Sequence, residues 1–302
     1  MRLSGTKTGA INQYRGLGDQ LWDLGGARPT LDLNFAHSKN LTDATSGKDY
    51  VDFTRQSSGT YVGSDGLIKT ATTNLVLQSE DFSTTWSLQL SSVTSDATTA
   101  PNGTATADKI VALGGNVEHN AFQSFTVVSG QTYTFSCYLK ASERTLFSLA
   151  FRVASLWPSS LNQVIDFNLS NGTLAIVSGS PTGTIVSVGN GWYRCSITST
   201  AIASGTGQVR VQSVFDADGE GVFAWGAQLE QSTTVGEYIP TTTAINSAPR
   251  FDHDPTTGES LGLLIEESRT NLLLNSATLA TQNVTVTAIA TRLVFTAQVQ
   301  SR

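Results

Sequence analysis

Charge is scarce in this sequence. Asp, Glu, Lys and Arg make up 14% of its 302 residues, where an ordinary globular chain carries about 25%. The polar surface therefore has to be built from Ser, Thr, Asn, Gln and Gly, a mixture that suits pleated faces and turns better than helices. It also lets neighbouring copies pack side by side without repulsion. Lys/Arg clusters are missing, and a net charge of −6 with a pI near 5.0 argues against the basic footprint of a nucleic-acid binder. No apolar run reaches about 18 residues, so no membrane span is expected. Met1 to Ala10 has charge but no apolar stretch behind it, so it does not read as a secretory signal.

Cysteine and histidine are equally sparse. Cys137 and Cys195 are too few for a disulfide framework. They read as two reduced core thiols, or as a bridge between neighbouring strands, since both lie in strand-like text. His37, His119 and His253 are the three histidines, and none has metal-ligand spacing. No Gly-x-Ser-x-Gly elbow occurs. Paired carboxylates for glycoside cleavage would have to come from Asp216, Asp218, Glu220, Glu230, Glu80, Asp81 or Glu266-Glu267, and Asp216 to Glu220 reads as a solvated hairpin tip. The chain is expected not to be an enzyme.

What is present is alternation punctuated by turns. Residues 1–28 are Gly-rich and aperiodic, with Leu17, Leu21, Trp22 and Leu24 as apolar anchors that cannot bury a face of their own. They read as a docking arm. Residues 29–72 form a small β region, with alternation over Pro29–Phe35 and Tyr50–Arg55 and a hairpin signal at Gly63-Ser64-Asp65-Gly66. The main body spans 73–243. Its expected strands are Ala105–Val111, Ala121–Val127, Gln131–Ser142, Leu146–Val153, Gln163–Asn168, Thr173–Val177, Thr184–Val188, Trp192–Thr200, Gln208–Val214 and Val222–Leu229. Asn171-Gly172 and Asn190-Gly191 are hairpin turns. The fold class is all-β, an antiparallel sandwich.

Residues 244–302 read as a linker and a truncated second module. Pro249 to Gly258 is a turn-rich connector and Leu261–Glu266 a short strand. Thr73-Asn74-Leu75-Val76-Leu77-Gln78-Ser79 recurs as Thr270-Asn271-Leu272-Leu273-Leu274-Asn275-Ser276, an offset of 197 positions. Such an echo marks a duplicated module. Only the stretch from Asn271 to Arg302 follows, too short for a second sandwich. Its alternating text, Val284 to Val299, is expected to add strands to a sheet elsewhere, in a neighbouring copy of an oligomer.

Several phrases in order resemble the carbohydrate-binding-type jelly-roll modules of bacteriophage tail-fibre and other virion proteins. They are Asn74-Leu75 through Glu80-Asp81-Phe82 with Trp86, Gly130 through Ala141, Gly191-Trp192-Tyr193-Arg194-Cys195, Trp225-Gly226-Ala227-Gln228-Leu229-Glu230, and Tyr238-Ile239-Pro240-Thr241. Phe251-Asp252-His253-Asp254-Pro255 and Glu266 through Leu272 are similar to the text joining such modules. The resemblance implies a jelly roll with an extended N-terminal arm and a short C-terminal β tail. It implies a virion protein made in the host cytoplasm, in the tail more than the capsid, with other virion proteins, itself (a trimer favoured) and a host surface glycan as partners. A capsid decoration, head-fibre or baseplate role and a surface-polysaccharide depolymerase are the alternatives.

The resemblance also implies a structural calcium near the first and last strands, with Glu80, Asp81 and Glu230 as its carboxylates; no other cofactor is expected. Sugar binding calls for an exposed flat aromatic beside hydrogen-bonding groups. Trp157, followed by Pro158 and flanked by Arg152, Asn162 and Gln163, fits that description in the text, whereas Trp86, Tyr138, Trp192 and Trp225 read as core anchors.

Overall fold

The computed structural model describes residues 33–266 except Asn34, Asn40, Thr45, Asp49, Asp52, 115–117 and 215–218. The expected docking anchors Leu17, Leu21, Trp22 and Leu24, the echo at 270–276 and the tail strands lie outside the described residues. After a helical turn at Phe35–Ser38 the regular structure of the described chain is β apart from two short 3₁₀ turns. The first strands are β1 (Thr60–Val62), β2 (Ile68–Thr70), β3 (Thr73–Asn74), β4 (Ser87–Gln89), β5 (Ser91–Thr98) and β6 (Ala107–Ala112). The long central strands are β7 (Glu118–Val127), β8 (Thr132–Ala141), β9 (Leu146–Arg152), β10 (Gln163–Asn168), β11 (Thr173–Ser178) and β12 (Thr182–Gly189). Then come β13 (Trp192–Thr200), β14 (Gly205–Val214), β15 (Gly221–Glu230), β16 (Asn246–Ser247), β17 (Phe251–His253) and β18 (Ser260–Leu263).

Two six-stranded antiparallel sheets form a jelly-roll sandwich. The first runs β11-β10-β9-β14-β7-β4 and the second β12-β13-β8-β15-β6-β5. Alternation builds the core between them. Phe147, Leu149 and Phe151 on β9, Ile165 and Phe167 on β10, and Val209 and Val211 on β14 point inward, and all are buried. Tyr133, Phe135, Cys137 and Leu139 on β8 meet them from the second sheet.

The outer face of the second sheet shows how an uncharged surface holds together. Hydroxyls of facing residues pair across strands: Thr132 with Thr200 at 2.7 Å, Thr134 with Thr198 at 2.8 Å, and Thr184 with Ser196 at 2.7 Å. Each such pair contributes roughly 0.2–1 kcal/mol. The same face carries a second, smaller core. Trp192 and Trp225 are buried there with Ala100 and Ala107, with Tyr138 and Tyr238 packed against them. The loop before β6 covers both rings, Thr99 O accepting from Trp192 Nε1 and Thr106 Oγ1 from Trp225 Nε1, each at 3.1 Å. Trp86 is buried in the main core, 4.7 Å from the Phe82 ring.

Cys137 and Cys195 face each other directly across the β8–β13 pair, free and buried. Burial pushes the Cys137 thiol up to about 12 and raises Cys195 well above its usual value. Thiolate is the reactive form, so the folded chain should not react with an aromatic disulfide reagent at neutral pH. Both thiols should titrate once denaturant is added, and fast labelling of the native chain would contradict this placement.

Both flanks of the sandwich meet beside it. The hairpin β1–β2 forms over the expected Gly63–Gly66 turn. Asp252 Oδ1 accepts from Val62 N at 2.7 Å, Arg250 Nη1 donates to Thr60 O at 2.8 Å, and His253 Nδ1 lies 2.9 Å from Val62 O. The connector Pro249–Gly258 is thus not merely linking text, because β17 within it pairs with β18 just after it. Phe35 opens a helical turn rather than ending a strand. Tyr50–Arg55 is not a strand at its described residues; its end is held by side chains, Arg55 N donating to Asn246 Oδ1 at 2.9 Å. A buried clasp ties this region to the sandwich: Asn74 Nδ2 donates to Ala227 O (3.0 Å) and Ile239 O (2.8 Å), while its Oδ1 accepts from Leu229 N (3.1 Å) and Val76 N (3.3 Å). Among the described residues no helix is long and apolar enough to cross a membrane.

Candidate ligand-binding cleft

The outer face of the first sheet is concave for a simple reason. On its central strand β9 the outward positions are small, Ser148 and Ala150, whereas Arg144, Arg152 and Glu118 stand around them. A cleft of ≈ 400 Å³ results, walled also by Asn162, Asp166 and Val177 and floored by Ser148, Val164 and Gln212. That volume lies within the roughly 300–1,000 Å³ of small-molecule sites. A smaller cavity of ≈ 190 Å³ beside β1 and β17 is the weaker candidate, because the Lys39 ammonium on its wall is spent on His253 Nε2 at 2.9 Å.

Register lines up the polar floor. Gln89, Asn120, Gln212, Ser148 and Asp166 face one another in a row across β4, β7, β14, β9 and β10. Asp166 Oδ1 accepts from Ser148 Oγ at 2.5 Å, and Asn120 Nδ2 donates to Gln89 Oε1 at 3.2 Å. Gln212 is only 2% exposed. Its Oε1 and the neighbouring Asn120 Oδ1 are buried acceptors with no donor among the described residues.

The walls are ionic. Glu118 Oε2 accepts from Arg152 Nη2 at 2.8 Å and from Arg210 Nη1 at 2.9 Å. Arg210 also donates to Gln208 Oε1 at 2.8 Å through Nη2 and lies 5.1 Å over the Phe122 ring. Burial, followed by the nearby Arg152 charge, lowers the Arg210 pKa from its ordinary value, with Glu118 pulling the other way. Arg144 Nη1 stands 3.4 Å from Glu220 Oε2 at the rim. Among the described residues no aromatic ring lines the cleft, and those that do offer amides, hydroxyls, guanidinium groups and apolar surface at Leu146, Val164 and Val177.

Of the residues expected to bind sugar, Arg152 and Asn162 line this cleft. Trp157 does not, and the expectation of an exposed stacking platform is corrected. The chain doubles back after β9 through two short 3₁₀ turns, Ala154–Leu156 and Pro158–Ser160, and Trp157 between them is 0% exposed. Its ring stacks on Phe151 at 4.6 Å and meets Tyr133 edge-on at 6.4 Å, and Nε1 donates to Arg152 O at 3.0 Å. Val153 is held in the left-handed region at φ 73°, a conformation that costs a β-branched residue of order 1–3 kcal/mol; the Trp157 plug keeps it there. Gln163 is also buried, with Nε2 donating to Leu161 O at 2.8 Å and Oε1 accepting from Ser180 N at 2.9 Å, so it fixes a loop.

Glu80, Asp81 and Glu230, the carboxylates expected at a calcium, each have hydrogen-bond partners within the chain. Asp81 accepts from Ser83 and Thr84; burial raises its pKa, but those hydrogen bonds outweigh it and leave the carboxyl below its usual value. Glu80 Oε1 accepts from Tyr238 Oη at 3.1 Å, and burial raises its pKa. Glu230 Oε1 accepts from Gln228 Nε2 (3.0 Å) and Gly236 N (2.8 Å). Its Oε2 is buried with no donor among the described residues. Among the described residues no group of three or more His, Cys, Asp or Glu gathers to hold a metal. Asp216 and Asp218 lie outside the described residues.

Sequence reading missed Glu118, Gln212 and Asn120. The available signal was Gln208-Val209-Arg210-Val211-Gln212, large polar side chains alternating with valine on a strand that turns out to be central.

No protein-family profile matches the chain, and no curated protein sequence matches it. Among solved structures it is similar to TmCBM61 in complex with β-1,4-galactotriose, at 13% identity and a TM-score of 0.31, covering 53% of this chain and 99% of that one. It is similar to the enzymatically active domain of bacteriophage CBA120 tailspike protein 4, at 15% identity and TM-score 0.32, covering 52% of this chain and 21% of that one. It is also similar to the CBM22-1–GH10 modules of Clostridium thermocellum xylanase 10B complexed with xylohexaose, at 8% identity and TM-score 0.31, covering 56% and 29% of the two chains. The chain thus spans under a third of the last two. Likenesses this distant say nothing of what the chain binds.

Proposed function

We propose that this chain is a non-enzymatic virion structural protein of a bacteriophage, a tail fibre or tail-associated adhesin, whose cleft on the first sheet holds a host surface glycan. The virion part of this reading rests on the motif resemblance over residues 73–243. The glycan part rests on one observation: Gln212 Oε1, buried at the floor of a polar cleft with no donor among the described residues. A buried acceptor left without a donor costs about 1–3 kcal/mol, and a sugar hydroxyl is a donor that offsets this. Arg144, Arg152 and Asn162 supply further hydrogen bonds at the rim. Docking on the particle is assigned to Leu17, Leu21, Trp22 and Leu24, and the assembly is a homo-oligomer.

The test is retention of the full chain on immobilised surface polysaccharide from candidate hosts. Gln212→Leu, nearly isosteric, should weaken retention roughly tenfold while leaving the unfolding midpoint unchanged or slightly raised. Retention by neither chain would support the purely structural role in a capsid decoration, head fibre or baseplate. Release of reducing ends would make it a depolymerase.

A further inference from the structure

The two lateral edges of the sandwich are built differently. At one, β4 has only three residues and β5 loses register between Thr94 and Thr98, where Asp96 takes φ 54°. Shortness and an acidic side chain are devices that stop an edge strand from pairing with another chain; register shifts occur at both edges, in β5, in β11 at Val177 and in β12, and do not distinguish them. The other edge is formed by β11 and β12, the outermost strands of the first and second sheets, and it has no charge at all. No Asp, Glu, Lys or Arg occurs from Phe167 to Tyr193.

β11 is also apolar on both faces. Leu174-Ala175-Ile176-Val177 is unbroken, and Ile176 and Val177, on opposite faces of the strand, are 54% and 58% exposed. Val186 and Val188 on β12 add exposed apolar surface next to it. A strand with this composition is ordinarily an interior strand with a neighbour on each side. β11 has one, β10.

We propose that β11 is the seam of a two-fold homodimer: β11 of one copy pairs antiparallel with β11 of a second and extends the first sheet across both. A second copy fits better than an unlike partner for two reasons. Each chain carries a net −6, so two copies repel wherever charged surfaces face, and this edge is where they can approach without that cost. A strand pairing antiparallel with itself is self-complementary by symmetry, as an isologous interface requires, and here it sets apolar side chains against apolar ones on both faces.

The symmetry has a consequence for the cleft. The two-fold axis of such a pairing is normal to the sheet, so the outer faces of both copies lie on the same side. Val177 and Ser178, which line the cleft, then stand close to their counterparts, and two clefts open onto one continuous surface. Only this consequence rests on the glycan reading; the seam does not.

Sedimentation velocity of the full chain over a wide concentration range tests it. The wild-type chain should sediment as a dimer that dissociates on dilution, and Ile176→Lys should weaken association roughly 100-fold or more, because like charges meet at the two-fold. The substitution is at an exposed position, so its unfolding midpoint should match wild type. Hydrogen exchange of the unsubstituted chain gives an independent readout: the amides of β11 should gain protection as dimer forms. A wild-type monomer at every concentration overturns the proposal. So does a folded Ile176→Lys chain that still associates, or association, trimeric or otherwise, that leaves the β11 amides unprotected and places the seam elsewhere. Polysaccharide retention by a monomeric wild type would sink the seam and leave the glycan reading standing.

Discussion

Replacing Trp157 by alanine should lower the unfolding free energy by about 3–5 kcal/mol, read as a drop in urea midpoint at constant slope. The ring is completely buried between the ends of the two sheets, stacked on Phe151 and edge-on to Tyr133. Its removal leaves a cavity lined by aromatics, and it also frees Arg152 O and the left-handed Val153. Against a typical total stability of about 5–15 kcal/mol, that is a large fraction. Trp157→Phe, which keeps the stack and loses the indole donor, should cost less. The stacking role expected from the sequence and the buried role in the structure separate cleanly here. A variant with wild-type stability but no polysaccharide retention would contradict the buried placement and return Trp157 to the ligand.

Asn74→Ala should cost about 3 kcal/mol. One 0% exposed side chain satisfies two carbonyls and two amides drawn from Val76, Ala227, Leu229 and Ile239. Alanine strands all four, each at about 1–3 kcal/mol if it stays dry, and water entering the vacated space recovers part of that. Asn74→Asp keeps the acceptors but loses both donations and buries a charge, so it should be no milder. Thermal unfolding of the two variants checks this; a loss below about 1 kcal/mol for Asn74→Ala would mean the clasp is redundant.

These two residues also show where sequence reading works and where it stops. The strands from β6 to β15 were legible because valines, isoleucines and aromatics alternate there between Gly and Asn turns; Gln163–Asn168 and Trp192–Thr200 appear with the expected bounds and the others with an end moved by up to three residues. β4 and β5 were not, since Ser91–Thr98 has hardly an apolar face and pairs only as an edge. Trp157 was misread for a related reason. It follows a strand, precedes proline and lacks periodicity, which are the marks of surface text, yet the 3₁₀ turns fold it back over the core end. The flanking regions failed differently: Val62 is held by Asp252 and Thr60 by Arg250, each about 190 positions away in sequence, and local pattern carries no such information. The cleft is a composite of the same kind. Arg152 and Asn162 sit near each other in the text, but Glu118 and Gln212 reach them only through the register of β7 and β14.

The threonine pairs on the second sheet have a consequence for where such a molecule can work. Ion pairs on a surface weaken as dissolved salt screens them, whereas one hydroxyl donating to another has no net charge to screen. The contacts Thr132–Thr200, Thr134–Thr198 and Thr184–Ser196 therefore contribute to the sheet face without being screened, in fresh water as in brine.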